Sequence, residues 1–361
     1  MTLYEAADLV RPADQEAMRR AQQRWSQVAK PLDSLGVLEA DLVRIAGVQR
    51  TPDISLEEKW IAVMCADNGI VAEGVTQTGQ EVTAAVAERM GRRASCVCLM
   101  AARAGARIFP VDVGIASRER IEGLLERKVR RGTEDFLKGP AMSRAEAVRA
   151  AECGVETAGI LADQGCRLAG AGEMGIGNTT TSSALISVFL GITPREAAGR
   201  GAGLSDAGYR RKVQVIEEGI RKNRPDPSDP LDVLAKVGGL DLAALAGFYI
   251  GCAARGIPVV LDGLITGAAA LAAVRLCPAA GEYLLASHVS AEPAGKLVLE
   301  ALGLRAAIDA GMCLGEGCGA AVLFPLLDMA AEVYGKMETF DQMQVEQYER
   351  FETEDGEGKS R

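Results

Sequence analysis

Histidine occurs once in the 361 residues, as His288, and aromatic side chains make up only 4% of the chain. A lone histidine among scattered cysteines is a poor basis for structural zinc. Cys96-Val97-Cys98 has C-x-C and not C-x-x-C spacing, and no metal site is expected. Without a G-x-S-x-G elbow the chain does not read as a serine hydrolase, and His288 reads as a structural group near the site. Positive charge is also short. The formal net charge is −9, whereas a nucleic-acid or anionic-membrane surface needs clustered basic residues. No uncharged apolar run reaches the roughly 20 residues of a membrane span. The opening stretch MTLYEAADLVRPADQE carries acids and no apolar segment, so no signal peptide is expected. The nine cysteines are odd in number and mostly sit in apolar runs, which fits buried thiols in a reducing, cytoplasmic setting better than disulfides. With so few rings, the core must use small aliphatic side chains on closely approaching backbones, which 41 glycines permit.

What is present is an alternation. Residues 1–50 read as helical, and Lys30-Pro31 ends the first long helix because a residue before proline is pushed out of the α region. From residue 59, short apolar runs alternate with longer helical ones. Strands are expected at Trp60–Ala66, Ala106–Val113, Arg167–Ala171, Ile257–Leu261 and Tyr283–Ala286. Strand and helix repeated in this way predict an α/β fold, a parallel sheet flanked by helices. Most of these strands end in a polar–glycine cluster: Asp67-Asn68-Gly69, Asp112-Val113-Gly114, Gly172–Gly175 and Asp262-Gly263. Ligands of open α/β sheets bind beyond the carboxyl ends of the strands, so these clusters are expected around one crevice. After about Phe340 the chain turns polar and acidic, and a frayed helix with a disordered tail is expected over 341–361.

The sharpest local signal runs from Gly172 to Ser182, with Glu173, Met174, Gly175, Asn178, Thr179 and Thr180 inside it. Glycine-rich backbone opening into a helix offers N–H groups and the positive helix end to an anion; the plainer reading is a tight turn with helix caps. It is not a Walker loop, and a dinucleotide-binding dehydrogenase is disfavoured for want of its fingerprint. A second cluster holds Gly199, Gly201 and Gly203, and Lys212 follows it on a helix, either as a phosphate partner or on a solvated face. Glu173 and Glu316 are carboxylates among glycines. Desolvation there suits a general base, while an exposed turn is the alternative for Gly315-Glu316-Gly317. Asp262 either touches a ligand or caps a helix.

These motifs together resemble one family along roughly residues 20–335. The match runs through Lys30–Glu39, Ala66–Gly69, Glu73–Val75, Gly139–Met142, Gly172–Thr180, Lys236–Gly239, Leu261–Gly263, Ser287–Glu292 and Leu314–Gly317. The chain resembles the nicotinate-nucleotide:dimethylbenzimidazole phosphoribosyltransferases. The resemblance implies a Rossmann-like large domain over 56–309 and a smaller helical domain from both chain ends, 1–55 plus 310–340. It implies a homodimer, nicotinate mononucleotide as substrate, and no cofactor. Glu316 would be the general base and Glu173 a second carboxylate. Gly175, Asn178, Thr179, Thr180, Gly201, Gly203, Lys212, Asp262 and Ser290 would hold ribose and phosphate. Asp67, Thr78, Val86, Met174 and Leu314 would line the acceptor pocket. Two departures stand out: Asn68 replaces a frequent histidine, and Val86 replaces a glutamine near the base. A drier pocket opens an alternative acceptor, phenol or p-cresol, in a heterodimer of similar chains, of which this one could also be a weakly active structural partner.

Overall fold

The structure, a computed structural model, describes residues 1–349. Seven strands form one sheet: β1 Lys59–Ala66, β2 Ala106–Gly114, β3 Leu125–Glu126, β4 Leu168–Met174, β5 Val259–Leu261, β6 Leu284–His288 and β7 Ala306–Ile308. Their order is β3-β2-β1-β4-β5-β6-β7, and every pairing is parallel. The first six follow the doubly-wound Rossmann order, with the direction of winding reversing between β1 and β4. That reversal opens a crevice above the carboxyl ends of those two strands, and Glu173 and Met174 at the end of β4 line the site described below.

β1 shows why the sheet is parallel and covered on both faces. Ala62, Met64 and Ala66 enter one hydrophobic cluster, while Ile61, Val63 and Cys65 enter the other. On the first face Arg144–Asp163 and Leu240–Ala253 pack so closely that Gly154 lies against the Ala244 carbonyl and Gly247 against that of Ala151. A methyl at either glycine would sit under 2 Å from a backbone oxygen. This is how a core poor in rings reaches close packing. The second face is covered by Gln15–Gln27 and Val37–Gln49 from the amino end, Cys96–Arg103, and Cys318–Lys336 from the carboxyl end. Gln15–Gln27 and Val37–Gln49 thus meet Cys318–Lys336 in one layer on this face, while Leu3–Leu9 packs with the helices of the first face. Among the described residues Cys318–Lys336 is the one helix long and apolar enough to cross a membrane, and half of it is buried within this fold.

β4 runs three residues beyond its expected end, so Gly172, Glu173 and Met174 are strand and not turn. Gly170, Gly172 and Gly175 do meet G-x-G-x-x-G spacing, but the first two lie inside β4, where a dinucleotide turn would need them past the strand. Of the stretch 341–361, residues 341–349 are described, and they are attached. Phe340–Met343 forms a helical turn, Gln347 Nε2 donates to the Ser26 carbonyl at 2.8 Å, and Tyr348 meets Phe340 edge-on. The tail expected over 350–361 lies outside the described residues.

Candidate active site

The crevice holds a cavity of about 260 Å³ walled by the ends of β4, β5 and β6 and the loops that follow them. One end is formed by a glycine-rich turn that opens a helix. β4 turns through Gly175-Ile176-Gly177 into the helix Asn178–Leu190. A Cβ at Gly175 would sit 2.2 Å from the Ala66 carbonyl, so only glycine allows this loop to lie on the end of β1. Ile176 N–H is held by Thr83 Oγ1 at 3.0 Å, and Gly175, Asn178 and Thr179 face the cavity. Lys212 is wholly buried and reaches up beneath this wall. Its Nζ donates to Thr179 Oγ1 at 2.9 Å and to the Gly199 carbonyl at 3.2 Å. Burial pushes its pKa down to about 8, opposed by the charge of Glu292. The solvated-face reading of Lys212 is therefore wrong. Gly201 and Ser290 also line the cavity, and Gly201 N–H donates to Glu292 Oε1 at 3.1 Å.

The other end carries carboxyl groups. Glu316 stands in left-handed backbone, φ 63°, between Gly315 at 86° and Gly317 at 94°. This tight loop crosses directly over β4, where a Cβ on Gly172 would lie 2.4 Å from the Glu316 carbonyl. Glu316 is half-buried, and its Oε2 accepts the Val97 N–H at 3.3 Å, from the start of Cys96–Arg103. Glu173, at the end of β4, is buried and accepts a hydrogen bond from Asn178 Nδ2. Burial, reinforced by the negative charges of Asp241 and Asp262, pushes its pKa up to about 8. Glu173, Glu316 and Asn178 therefore share one cavity with the glycine loop. Thr78, Val86, Met174 and Leu314 line the same cavity, and His288 also faces it, its pKa lowered by burial.

Four expected residues take other places. The Asp67 carboxylate is absent from the cavity wall; its Oδ2 accepts the Ala116 N–H at 2.7 Å and anchors the turn after β2. Asp262 touches the cavity, but its oxygens accept the N–H groups of Gly317 at 2.9 Å and Gly319 at 2.6 Å. It holds the Glu316 loop and the start of Cys318–Lys336, and a buried carboxylate beside a phosphate would repel it. Thr180 lies in the core behind the helix, because its neighbour Thr179 takes the outward position. Gly203 contributes its carbonyl to Gln77 Nε2 and is absent from the wall. Asp241 and Glu292 were not anticipated. A lone acid in the apolar run LDLAALAGFYIGCA was the available signal for the first.

The family model described as phosphoribosyltransferase matches residues 10–345. The chain is 44% identical over 352 residues to the nicotinate-nucleotide–dimethylbenzimidazole phosphoribosyltransferase of Ruminiclostridium cellulolyticum, covering 98% of this chain and 100% of that one. The chain belongs to the nicotinate-nucleotide–dimethylbenzimidazole phosphoribosyltransferase family. The relative so named from Acetivibrio thermocellus is 42% identical over 96% of this chain and 99% of its own. The crystal structure of CobT from Thermus thermophilus matches with a TM-score of 0.88 at 39% identity, covering 92% of this chain and 100% of that one. As a family member the chain is a pentosyl-transferring enzyme. These phosphoribosyltransferase relatives carry dimethylbenzimidazole in their names, and the phenol alternative finds no support among them.

Proposed function

We propose that the chain transfers the phosphoribosyl group of nicotinate mononucleotide to a cobamide lower-ligand base of the dimethylbenzimidazole type, releasing nicotinate and forming the α-ribotide. The observation that carries this is the meeting of Glu316 with the Gly175–Thr179 anion nest in one cavity. Phosphate is read at the nest, near the Lys212 ammonium, with Gly201 and Ser290 completing the wall. The acceptor is read between Thr78, Val86, Met174 and Leu314, next to Glu316.

The chemistry asks little else of the protein. Nicotinate leaves as the bond from its ring nitrogen to the anomeric carbon breaks, and the bond's electron pair neutralises the pyridinium. The anomeric carbon passes through an oxocarbenium-like state. One acceptor nitrogen forms the new bond from the opposite face, and the proton on the other nitrogen goes to the Glu316 carboxylate. A placed base contributes about 10²–10⁴-fold. Glu173, kept neutral by burial and by its acidic neighbours, does not compete for that proton. Nicotinate mononucleotide is a substrate here and no cofactor is assigned. The reading carries with it a cytoplasmic enzyme acting as a dimer. Incubating the purified chain with nicotinate mononucleotide and dimethylbenzimidazole tests it: nicotinate and the ribotide should appear in equal amounts by mass spectrometry. Absence of nicotinate release with every benzimidazole and purine base tried would overturn the proposal.

A further inference from the structure

Asp241 lies behind the cavity wall, completely enclosed at the start of a helix that carries no other charge. Its Oδ2 accepts Asn178 Nδ2 at 3.2 Å, and the same nitrogen donates to Glu173 Oε2. One amide group therefore spends both hydrogens on two buried carboxyls. Asp241 Oδ1 is fixed in turn by the Leu242 N–H at 3.0 Å. Two ionised carboxylates on one enclosed amide repel each other strongly, so one of them holds a proton. The structure distinguishes the two. Asp241 sits at a helix amino end and receives a backbone N–H, both of which favour its charge. Glu173 has the amide alone and also faces Asp262 and Glu316.

We propose that Asp241 is a positioning residue for the transfer: its negative charge, held beside Glu173 by the shared Asn178 amide, keeps Glu173 at the cavity as a neutral carboxylic acid, leaving Glu316 to take the acceptor's proton. This rests on the phosphoribosyl-transfer reading above. The titratable groups facing Glu173 are Asp241 from its helix, Asp262 from the end of β5 and Glu316 from its loop. Cys65 on β1, Cys318 and Tyr249 also face it, and burial raises all three so that they stay neutral. Asp241 itself also faces Asp67. The values agree with the geometry, about 8 for Glu173 and about 6 for Asp241.

The test is an infrared titration of the wild-type enzyme against Glu173→Gln, repeated in an Asp241→Asn background. The wild-type minus Glu173→Gln spectrum should show a protonated-carboxyl band at neutral pH. Removing the like charge in Asp241→Asn should lower that band's midpoint by about one unit or more. In parallel, kcat at saturating nicotinate mononucleotide should lose its alkaline limb at lower pH in Asp241→Asn. Glu173→Gln should lack that limb, and the double variant should match it. An unmoved midpoint, or a loss of kcat equal at every pH, would overturn the proposal. Should Asp241→Asn not fold, the wild-type difference spectrum decides alone, and the absence of the band at neutral pH is fatal. The spectrum needs no turnover, so this result stands apart from whether nicotinate mononucleotide is the donor.

Discussion

Replacing Gly172 by alanine tests how Glu316 is held. The new Cβ would lie 2.4 Å from the Glu316 carbonyl oxygen, 2.6 Å from its carbon and 2.7 Å from the Gly317 nitrogen. Ordinary contact begins about 1 Å farther out, and all three atoms are backbone, so no side chain can swing aside. β4 is paired to β1 along its length and cannot retreat, which leaves the Glu316 loop to move. A displacement of about 1 Å at a reacting group costs on the order of 10²-fold, or about 2.7 kcal/mol of barrier. The overpacking itself should cost about 1–3 kcal/mol of stability. Gly170→Ala is the control. Its Cβ would press on side chains, Ala320 Cβ at 2.8 Å and Ile61 Cγ1 at 3.0 Å, so it should lose stability with a much smaller loss of kcat. Nicotinate release assayed under saturating substrates, with melting curves for each variant, decides the point. Equal kcat in the two alanine variants would refute the reasoning.

Two further outcomes follow from the buried charges. Lys212→Met should raise KM for nicotinate mononucleotide about 10–100-fold while leaving the acceptor KM within a few-fold, since a charge-assisted hydrogen bond is worth about 1.5–3 kcal/mol; a matching rise in both constants in steady-state kinetics would count against phosphate at this end. For Glu173 the folded-state pKa of about 8 lies above the ordinary 4.5, so the native state binds the proton more tightly and stability falls as pH rises through that window. Glu173→Gln cannot ionise, so melting curves should show its Tm gaining on wild type from mildly acidic to mildly alkaline pH, and a constant difference would contradict the burial argument.

The strands were legible because their apolar runs are buried on both faces, and β1 was expected almost to its observed ends. β3 and β7 were not, since two or three residues at each edge, none of them fully buried, carry no pattern. The end of β4 was misread for a physical reason. Gly-Glu-Met spells a turn locally, but Gly170 and Gly172 are small so that the carboxyl-terminal helix and the Glu316 loop can lie on the strand. At the site, glycine clusters marked the loops correctly, while side-chain direction was beyond them. Thr179 and Thr180 differ by one helical step, and only one faces the cavity. Lys212 was ambiguous because it follows Arg210 and Arg211 on a helix with a polar face, and tertiary packing turns it inward. Asp241 showed only as a charge out of place in an apolar run, and its partner Asn178 lies 63 residues away in the chain.

The most direct measurement is single-turnover nicotinate release by Glu316→Gln. Glutamine keeps the backbone and can still accept the Val97 N–H, so folding and nicotinate mononucleotide affinity should persist while the rate falls by about 10²–10⁴-fold. A rate within a few-fold of wild type would mean that the acceptor's proton goes elsewhere, and the assignment of the carboxylate would fail.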